Sequence, residues 1–540
     1  MSTQTKGNAG VTPVAAAKPK DAAAVILLRE SKAGGHEVFW VKRSTKLAFL
    51  GGFYAFAGGQ RDASDDETRV ENAADAEAAA MISCAARELF EELGVLIARG
   101  AQTLTKGQRA SLLDDLEQGR MSFPALLKHH DLHLDARDFT FAGRWVTPPF
   151  SPRRFDTWFF TVNCPPKQEP QVIEGELESG EWTTARAAYE RWERSEILGA
   201  PPVLHALKTL AEGLTDDLVE RFLSVPQAHG VPVRRIEFRP GYICFPVRTP
   251  TRPPATHTNS YIIYTSLELV VIDPGSPYED EQAALAECVD ELLAGGRRVR
   301  EIILTHFHPD HVGGVKALAA HLGGGVPVAA HRLTAEPLSD TIRVDRLIED
   351  GDILELKGEA SIILRALHTP GHARGHLCFY NERTGAALTG DNIVGLGSVL
   401  IDPPEGDMRD YLASLERLRA LPHLTVLFGG HGPAMGNPVA KIDEYTAHRL
   451  EREADILKAV RAGAGTSQEI VARVYTDVSP KAHAMAERAV LAHLEKLEAD
   501  KRVARESAGV VDRYIAIDPD PAAFQLEKEN QAEAETKERL

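Results

Sequence analysis

Between Thr305 and His311 the chain reads THFHPDH, which sets His306, His308, Asp310 and His311 almost side by side. Neutral imidazoles and a carboxylate are the ligands that hold zinc. The preceding run VREIILTH reads as a buried strand ending on the cluster, so the cluster falls on a loop at a sheet edge. There, alternate side chains can converge on one point, and Gly313 and Gly314 let the chain turn sharply into the next helix. Further histidines and acids follow in order: HTPGH ending at His372, TGD ending at Asp391, and GGHGP centred on His431. Asp273 lies upstream in VIDPG. A second chemistry stands nearer the start, in AARELFEELGVLIA. On a helix, Glu88, Glu91 and Glu92 are spaced i, i+3, i+4 and share one face. Three carboxylates so placed repel unless a divalent cation sits among them, and hard oxygen ligands suit Mg2+ or Mn2+. Arg87 can offset part of that charge.

The elements that position these residues can be read from periodicity. AAAVILL and EVFWVKRS are expected strands, Ala73 to Leu96 a helix, and GRWVTPPF and DTWFFTVNC further strands, followed by a helical stretch from Thr184 to Glu220. A proline- and arginine-rich break follows, with a boundary placed near Pro226 to Arg235. SYIIY and LELVVID then read as strands, Tyr278 to Leu293 as a helix and VREIILTH as the strand that delivers the cluster. From His448 the pattern turns helical (READILKAV, SQEIVARVY, AERAVLAHLEKLEAD), and VARE and VDRYIAI suit a two-stranded wing. At 540 residues more than one domain is expected. A hydrophobic share of 43% and a charged share of 26% are those of a globular protein. The net charge of -17 argues against a whole-protein affinity for nucleic acid or an anionic membrane. Five scattered cysteines without a CxxC pair read as reduced thiols. With no secretory h-region and no membrane-length apolar run, a cytoplasmic protein without a membrane partner is expected. Oligomeric state is not legible.

The order HxHxDH, then His, Asp and His, resembles the metallo-β-lactamase superfamily from about Gly241 to Tyr445. That resemblance implies two zinc ions. One would take His306, His308 and His372; the other would take Asp310, His311 and His431, with Asp391 and a water bridging both. Asp273 would orient a ligand, and Asp310 would also steer protons as a catalytic residue. Asp391 stands where some zinc β-lactamases use Cys, which disfavours antibiotic cleavage. The short separation of His372 and His431 leaves no room for the inserted domain of the β-CASP nucleases. The segment SVLIDPPEGDMRDYLASLERL and the helical tail resemble β-lactamase-like proteins with a C-terminal winged helix, whose animal mitochondrial members are single-strand-specific endoribonucleases. Single-stranded RNA is therefore one candidate partner. The tail residues His448, Arg449, Arg452, Lys496, Lys501, Arg502 and Arg505 are either solvated helix faces or an RNA contact.

The segment RELFEELGV matches the second half of the Nudix box. Its expected glycine and glutamate upstream fall on Ala73 and Ala79, while a glycine pair occurs earlier, at Gly58 and Gly59, so the box looks split by an insertion. WVTP (Trp145 to Pro148) and RFDTWFF (Arg154 to Phe160) also resemble insertion-bearing Nudix enzymes similar to the peroxisomal coenzyme A diphosphatases. The resemblance implies Glu88, Glu91 and Glu92 as Mg2+ or Mn2+ ligands, with Glu91 and Glu92 catalytic, and Glu174, Glu176 and Glu178 as weaker supporting carboxylates. The substrate would be a small nucleotide-type molecule.

The expectation is thus an α/β and α+β multidomain chain. It has a leader without packed structure over 1–20, a Nudix α/β/α sandwich over 21–225 and a metallo-β-lactamase αβ/βα sandwich over 235–447. A winged helix over 448–516 and an acidic tail over 517–540 complete it. The leading function is a bifunctional hydrolase. Its zinc site would hydrolyse an ester, thioester or phosphodiester, and its Nudix site a nucleoside-diphosphate-type linkage such as that of coenzyme A derivatives. The alternative is a glyoxalase II-like thioesterase whose Nudix domain only senses a nucleotide.

Overall fold

Seven consecutive buried residues, Ala22 to Leu28, make the first strand (β1, Lys20–Glu30) apolar on both faces, as a strand covered on both sides requires. Its side chains alternate between two cores. Ala23, Val25 and Leu27 pack with the helix that carries the glutamates; Ala24, Ile26 and Leu28 join a core that continues into the rest of the molecule. These facts come from a computed structural model describing residues 17–517, except 33, 48, 174, 477, 478 and 508–510. The expected leader (up to residue 16), the acidic tail from residue 518 and Glu174 lie outside the described residues.

Around β1 the first sheet is mixed. β2 (His36–Arg43) and β3 (Ala57–Gln60) pair antiparallel with opposite halves of it. Helix α1 (Ala76–Leu93) crosses the sheet, started by the Asp75 side chain accepting from the Ala78 N–H and stopped by Gly94 at φ 65°. β4 (Thr140–Val146) pairs antiparallel with β5 (Phe155–Asn163), which runs parallel to β1. β6 (Leu177–Thr183) pairs with β2. The predicted helical stretch from Thr184 is divided, its two longest pieces being α2 (Ala185–Glu193) and α3 (Pro201–Ala211). Prolines Pro201 and Pro202 explain the restart, since proline is accommodated in a first helical turn but not within a helix.

The second body is two facing sheets. One runs in chain order through β7 (Ile236–Arg239), β8 (Tyr242–Arg248), β9 (His257–Tyr264), β10 (Glu268–Ile272), β11 (Arg298–Ile303), β12 (Val328–Ala330) and β13 (Arg346–Leu347). Helix α4 (Glu279–Ala294) links β10 to the parallel β11. The other sheet runs through β14 (Ile353–Leu356), β15 (Ile362–His368), β16 (Leu377–Asn381), β17 (Ala386–Gly390) and β18 (Val426–Gly429). Tyr242, Val270 and Ile272 from the first sheet meet Leu364, Phe379 and Phe428 from the second in one core.

That same core reaches the first body. Phe238 on β7 packs edge-on against Phe53 at 5.3 Å between centroids, and its carbonyl accepts from Trp192 Nε1 at 3.1 Å. Asn437 Nδ2 donates to the Thr45 carbonyl at 2.9 Å. The two bodies are therefore packed together through apolar contacts and hydrogen bonds.

Helix α5 (Met408–Arg419) covers the second sheet, and α6 (Pro438–Arg461) leads away from it. The expected boundary at 447/448 falls inside this single helix. α7 (Ser467–Val474), α8 (His483–Ala499) and the hairpin of β19 (Val503–Ser507) and β20 (Asp512–Ala516) form the winged-helix module. Among the described residues no helix is long and apolar enough to cross a membrane.

Candidate metal centres

β11 ends at Ile303, and the chain then drops His306 and His308 onto a loop closed by a short helix, Pro309–Val312. The loop is held by Asp273, which follows β10 in the left-handed region at φ 51°. Its carboxylate accepts from the Thr305 N–H at 2.8 Å and the Thr305 hydroxyl at 2.6 Å. Gly275, two residues on, is forced by close approach: a Cβ there would lie 1.9 Å from the Asp310 carbonyl oxygen.

The sequence-predicted ligands come together. His306, His308 and His372 each point one nitrogen into a group whose atoms lie within 4.8 Å of one another. His306 Nε2 is 3.0 Å and His372 Nε2 is 2.9 Å from His308 Nδ1. Asp310, His311 and His431 form a second such group. Asp391 lies between them, with Oδ1 3.4 Å from His311 Nε2 and Oδ2 3.2 Å from His431 Nε2 and 3.8 Å from His372 Nε2. The outward nitrogens are tied elsewhere. His311 Nδ1 faces Asp273 at 2.8 Å, His372 Nδ1 donates to the Leu400 carbonyl at 2.8 Å, and His431 Nδ1 donates to the His257 carbonyl at 2.8 Å. A carbonyl can only accept, so Nδ1 of His372 and of His431 carries the proton and Nε2 is left as a lone-pair donor.

The electrostatics fit cations between these groups. Burial holds His306 and His372 below the usual imidazole range and His308 down at about 3, so these rings are neutral. Burial also opposes charge on His311 and His431, but Asp391 and Asp310, with Asp273 for His311, outweigh it and push both up. Asp391 is held well below the carboxylate range by His431 and His311, despite its burial. His311 Nε2 and Asp391 Oδ1 are both buried and lack a hydrogen-bond partner. The two atoms face each other at 3.4 Å, and a divalent ion among these imidazoles and carboxylates would take the place of the proton that the carboxylates hold on His311.

Two supporting residues escaped the sequence reading. His376, fully buried, accepts the Asp391 N–H at Nε2 (3.1 Å). Asn259 donates to the Gly429 and Gly432 carbonyls at 2.9 and 2.8 Å and fixes the turn that presents His431. The second HxxxH spacing in HTPGHARGH was a signal for His376; Asn259, in a polar strand start, carried none.

In the first body, α1 and β3 bring the parts of the split box together. The Gly58 N–H donates to Glu92 Oε2 at 2.8 Å, and a Cβ on Gly59 would collide with the Glu88 carboxylate at 2.5 Å. The insertion in sequence is thus closed in space. Arg87 Nη1 reaches Glu88 and Glu91, each at 2.8 Å. Buried Asp65, which sequence reasoning did not single out, grips the other side of the guanidinium at 2.9 and 3.1 Å. Burial raises Glu88 to about 7, Glu92 to about 8, and Glu91 upward. Carboxylates raised in this way are ones a hard cation would stabilise, but their donor atoms do not close into one group within 4.8 Å as those of the histidine groups do. All three glutamates and Glu176 line a cavity of about 960 Å³. Glu178 instead pairs with Lys42 at 2.8 Å on the sheet surface. The lining also includes apolar Ile236, Phe238 and Pro433 from the second body.

The tail cations differ in placement: Lys501 and Arg502 are exposed, and Arg505 lies 3.6 Å from Glu498. Arg449 is buried, Arg452 lies over the Tyr475 ring at 4.3 Å, and Lys496 pairs with Glu453 and Asp500.

Folds and sites together define a hydrolase built on a metallo-beta-lactamase fold and a Nudix fold. Family models match in the expected arrangement: the NUDT19 Nudix domain over residues 65–210, the metallo-beta-lactamase superfamily over 253–431 and the beta-lactamase associated winged helix domain over 466–512. An atrochrysone carboxyl ACP thioesterase of Aspergillus chevalieri is 32% identical, over 48% of this chain and 82% of that protein. A beta-lactamase-like protein 2 homolog of Caenorhabditis elegans is 28% identical, over 41% and 71%. A Nudix hydrolase structure from Alicyclobacillus acidocaldarius is 30% identical, covering 39% of this chain and 98% of its own, with a TM-score of 0.34. The chain belongs to the metallo-beta-lactamase superfamily and carries a Nudix domain before that fold and a winged helix after it.

Proposed function

We propose that the second body hydrolyses an acyl thioester with two zinc ions. One would be held by His306, His308 and His372, the other by Asp310, His311 and His431, with Asp391 shared. The observation that carries this reading is the convergence of His306, His308 and His372 on one point and of Asp310, His311 and His431 on a second, with Asp391 facing both groups. When bound, such ions lower the pKa of water and polarise the scissile carbonyl. The protein's own part is to orient: Asp273, Leu400 and His257 fix three imidazoles, and Asp310 stands beside His431 at 3.5 Å, placed to move a proton. The thioester is favoured by the name of the Aspergillus chevalieri relative. RNA is less favoured because Arg449, Arg452 and Lys496 turn inward or are paired, which interrupts the basic stripe that nucleic-acid binding needs.

The same reading gives the first body a diphosphatase role, with Glu88, Glu91 and Glu92 holding Mg2+ or Mn2+. What supports it is the cavity, whose lining combines these carboxylates with apolar residues such as Phe49, Phe56, Phe150 and Phe238, suited to a phosphoanhydride that bears an apolar group, such as an acyl-coenzyme A. Both bodies would then act on one class of substrate. The domains of this reading are residues 21–225, 235–447 and 448–516, the last two sharing helix α6, in a cytoplasmic protein. A panel of acyl-coenzyme A esters, dinucleotides and single-stranded oligoribonucleotides, given to the wild type, His308→Ala and Glu91→Gln, tests it. Thioester cleavage lost only in His308→Ala and diphosphate cleavage lost only in Glu91→Gln are expected. Oligoribonucleotide cleavage that disappears in His308→Ala, with no thioester cleavage, would overturn it.

A further inference from the structure

Two arginines that lie beyond the metallo-beta-lactamase match hold the segment on which His372 depends. The His372 Nδ1–H donates to the Leu400 carbonyl at 2.8 Å, which sets the tautomer and turns Nε2 toward His308. The residue before Leu400 is gripped by Arg449 on α6, whose guanidinium donates to the Val399 carbonyl. Arg449 is only 5% exposed, its Nε has no partner, and its guanidinium stacks over Tyr411 at 5.3 Å. The Tyr411 hydroxyl in turn donates to the carbonyl of Asn392, next to Asp391, at 2.7 Å. On the other side of Leu400, Arg488 on α8 of the winged-helix module donates to the Asp402 carboxylate and the Pro403 carbonyl. Residues 399–403 are thus held at both ends by the C-terminal helices.

A buried arginine is expensive unless paired, and Arg449 faces a carbonyl and an aromatic ring rather than a carboxylate. Surface solvation explains none of this. We infer that Arg449 and Arg488 are positioning residues for the metal centre: by fixing the Leu400 carbonyl they orient His372, so the C-terminal helices complete the site built by the second body. This rests on the proposed role of His372 as a ligand. Partners of metal ligands typically matter about 10- to 100-fold in metal affinity, and Arg449, being buried, carries the larger share.

The test is zinc binding by chelator competition on the full chain, read as the affinity of each equivalent separately, for Arg449→Met, Arg449→Lys, Arg488→Met and His372→Ala. The expected result is that His372→Ala loses one zinc equivalent. Arg449→Met weakens that same equivalent by about 10-fold or more while the other is held as in the wild type, and Arg449→Lys recovers part of the loss. A general packing defect would weaken both alike. If His372→Ala keeps both equivalents, the ligand assignment fails whatever the arginines do. If His372→Ala loses one and Arg449→Met binds both as tightly as the wild type, the positioning role is overturned. Should Arg449→Met fail to fold, Arg488→Met decides at a half-exposed site: unchanged affinity for the His372 equivalent overturns the inference, and selective weakening of it supports the inference.

Discussion

The Asp273 carboxylate lies 2.8 Å from His311 Nδ1 while also accepting both the N–H and the hydroxyl of Thr305. One side chain therefore ties the His311 ring to the strand end that leads into His306 and His308. Asp273→Asn suits the left-handed backbone there but removes the charge. Zinc affinity, measured by chelator competition, should fall by about 10- to 100-fold with little change in circular dichroism.

Glu92, half-buried, accepts from the Gly58 N–H and lines the cavity. Glu92→Gln should lower diphosphate cleavage on the order of 10²- to 10⁴-fold and leave thioester cleavage unchanged. Product analysis of one acyl-coenzyme A substrate reads both reactions at once.

Phe238 links the two bodies through Phe53 and Trp192. Phe238→Ala should cost about 3–5 kcal/mol, read from denaturant unfolding. It should also weaken binding of acyl-coenzyme A more than that of coenzyme A, because the apolar cavity wall recedes. Equal weakening of both ligands would detach Phe238 from recognition of the apolar group.

His493 is buried in the winged-helix module, 3.6 Å from Glu453, and burial lowers its pKa. A depressed histidine contributes stability that is present above its unfolded pKa of about 6.5 and is lost as pH falls through the folded value. Melting temperature should therefore drop between pH 7.5 and pH 5.5, and drop less in His493→Leu. An identical drop in both proteins would assign the acid sensitivity to other groups.

Much of this was legible in the sequence, for physical reasons that can be named. His306, His308, Asp310 and His311 crowd onto one strand end, so local spacing announces them. Their partners His372, Asp391 and His431 were readable only as an ordered resemblance, since the sheets that bring them together are non-local. The glutamate face of α1 follows from helical spacing alone, but Asp65, which anchors Arg87, is reached through a loop whose path spacing does not give. The inward turn of Arg449 was equally hidden. A cation at the surface and one stacked on Tyr411 have the same sequence signature, and only the tertiary fold separates them. The contact of Phe238 with Phe53 depends on how two bodies dock, which no local pattern encodes.

The most direct measurement pairs metal analysis with thioester hydrolysis on the same preparations of wild type and His308→Ala. The account predicts two zinc equivalents and acyl thioester cleavage in the wild type, with loss of one equivalent and of that cleavage in His308→Ala. Undiminished cleavage or full zinc content in His308→Ala would contradict it.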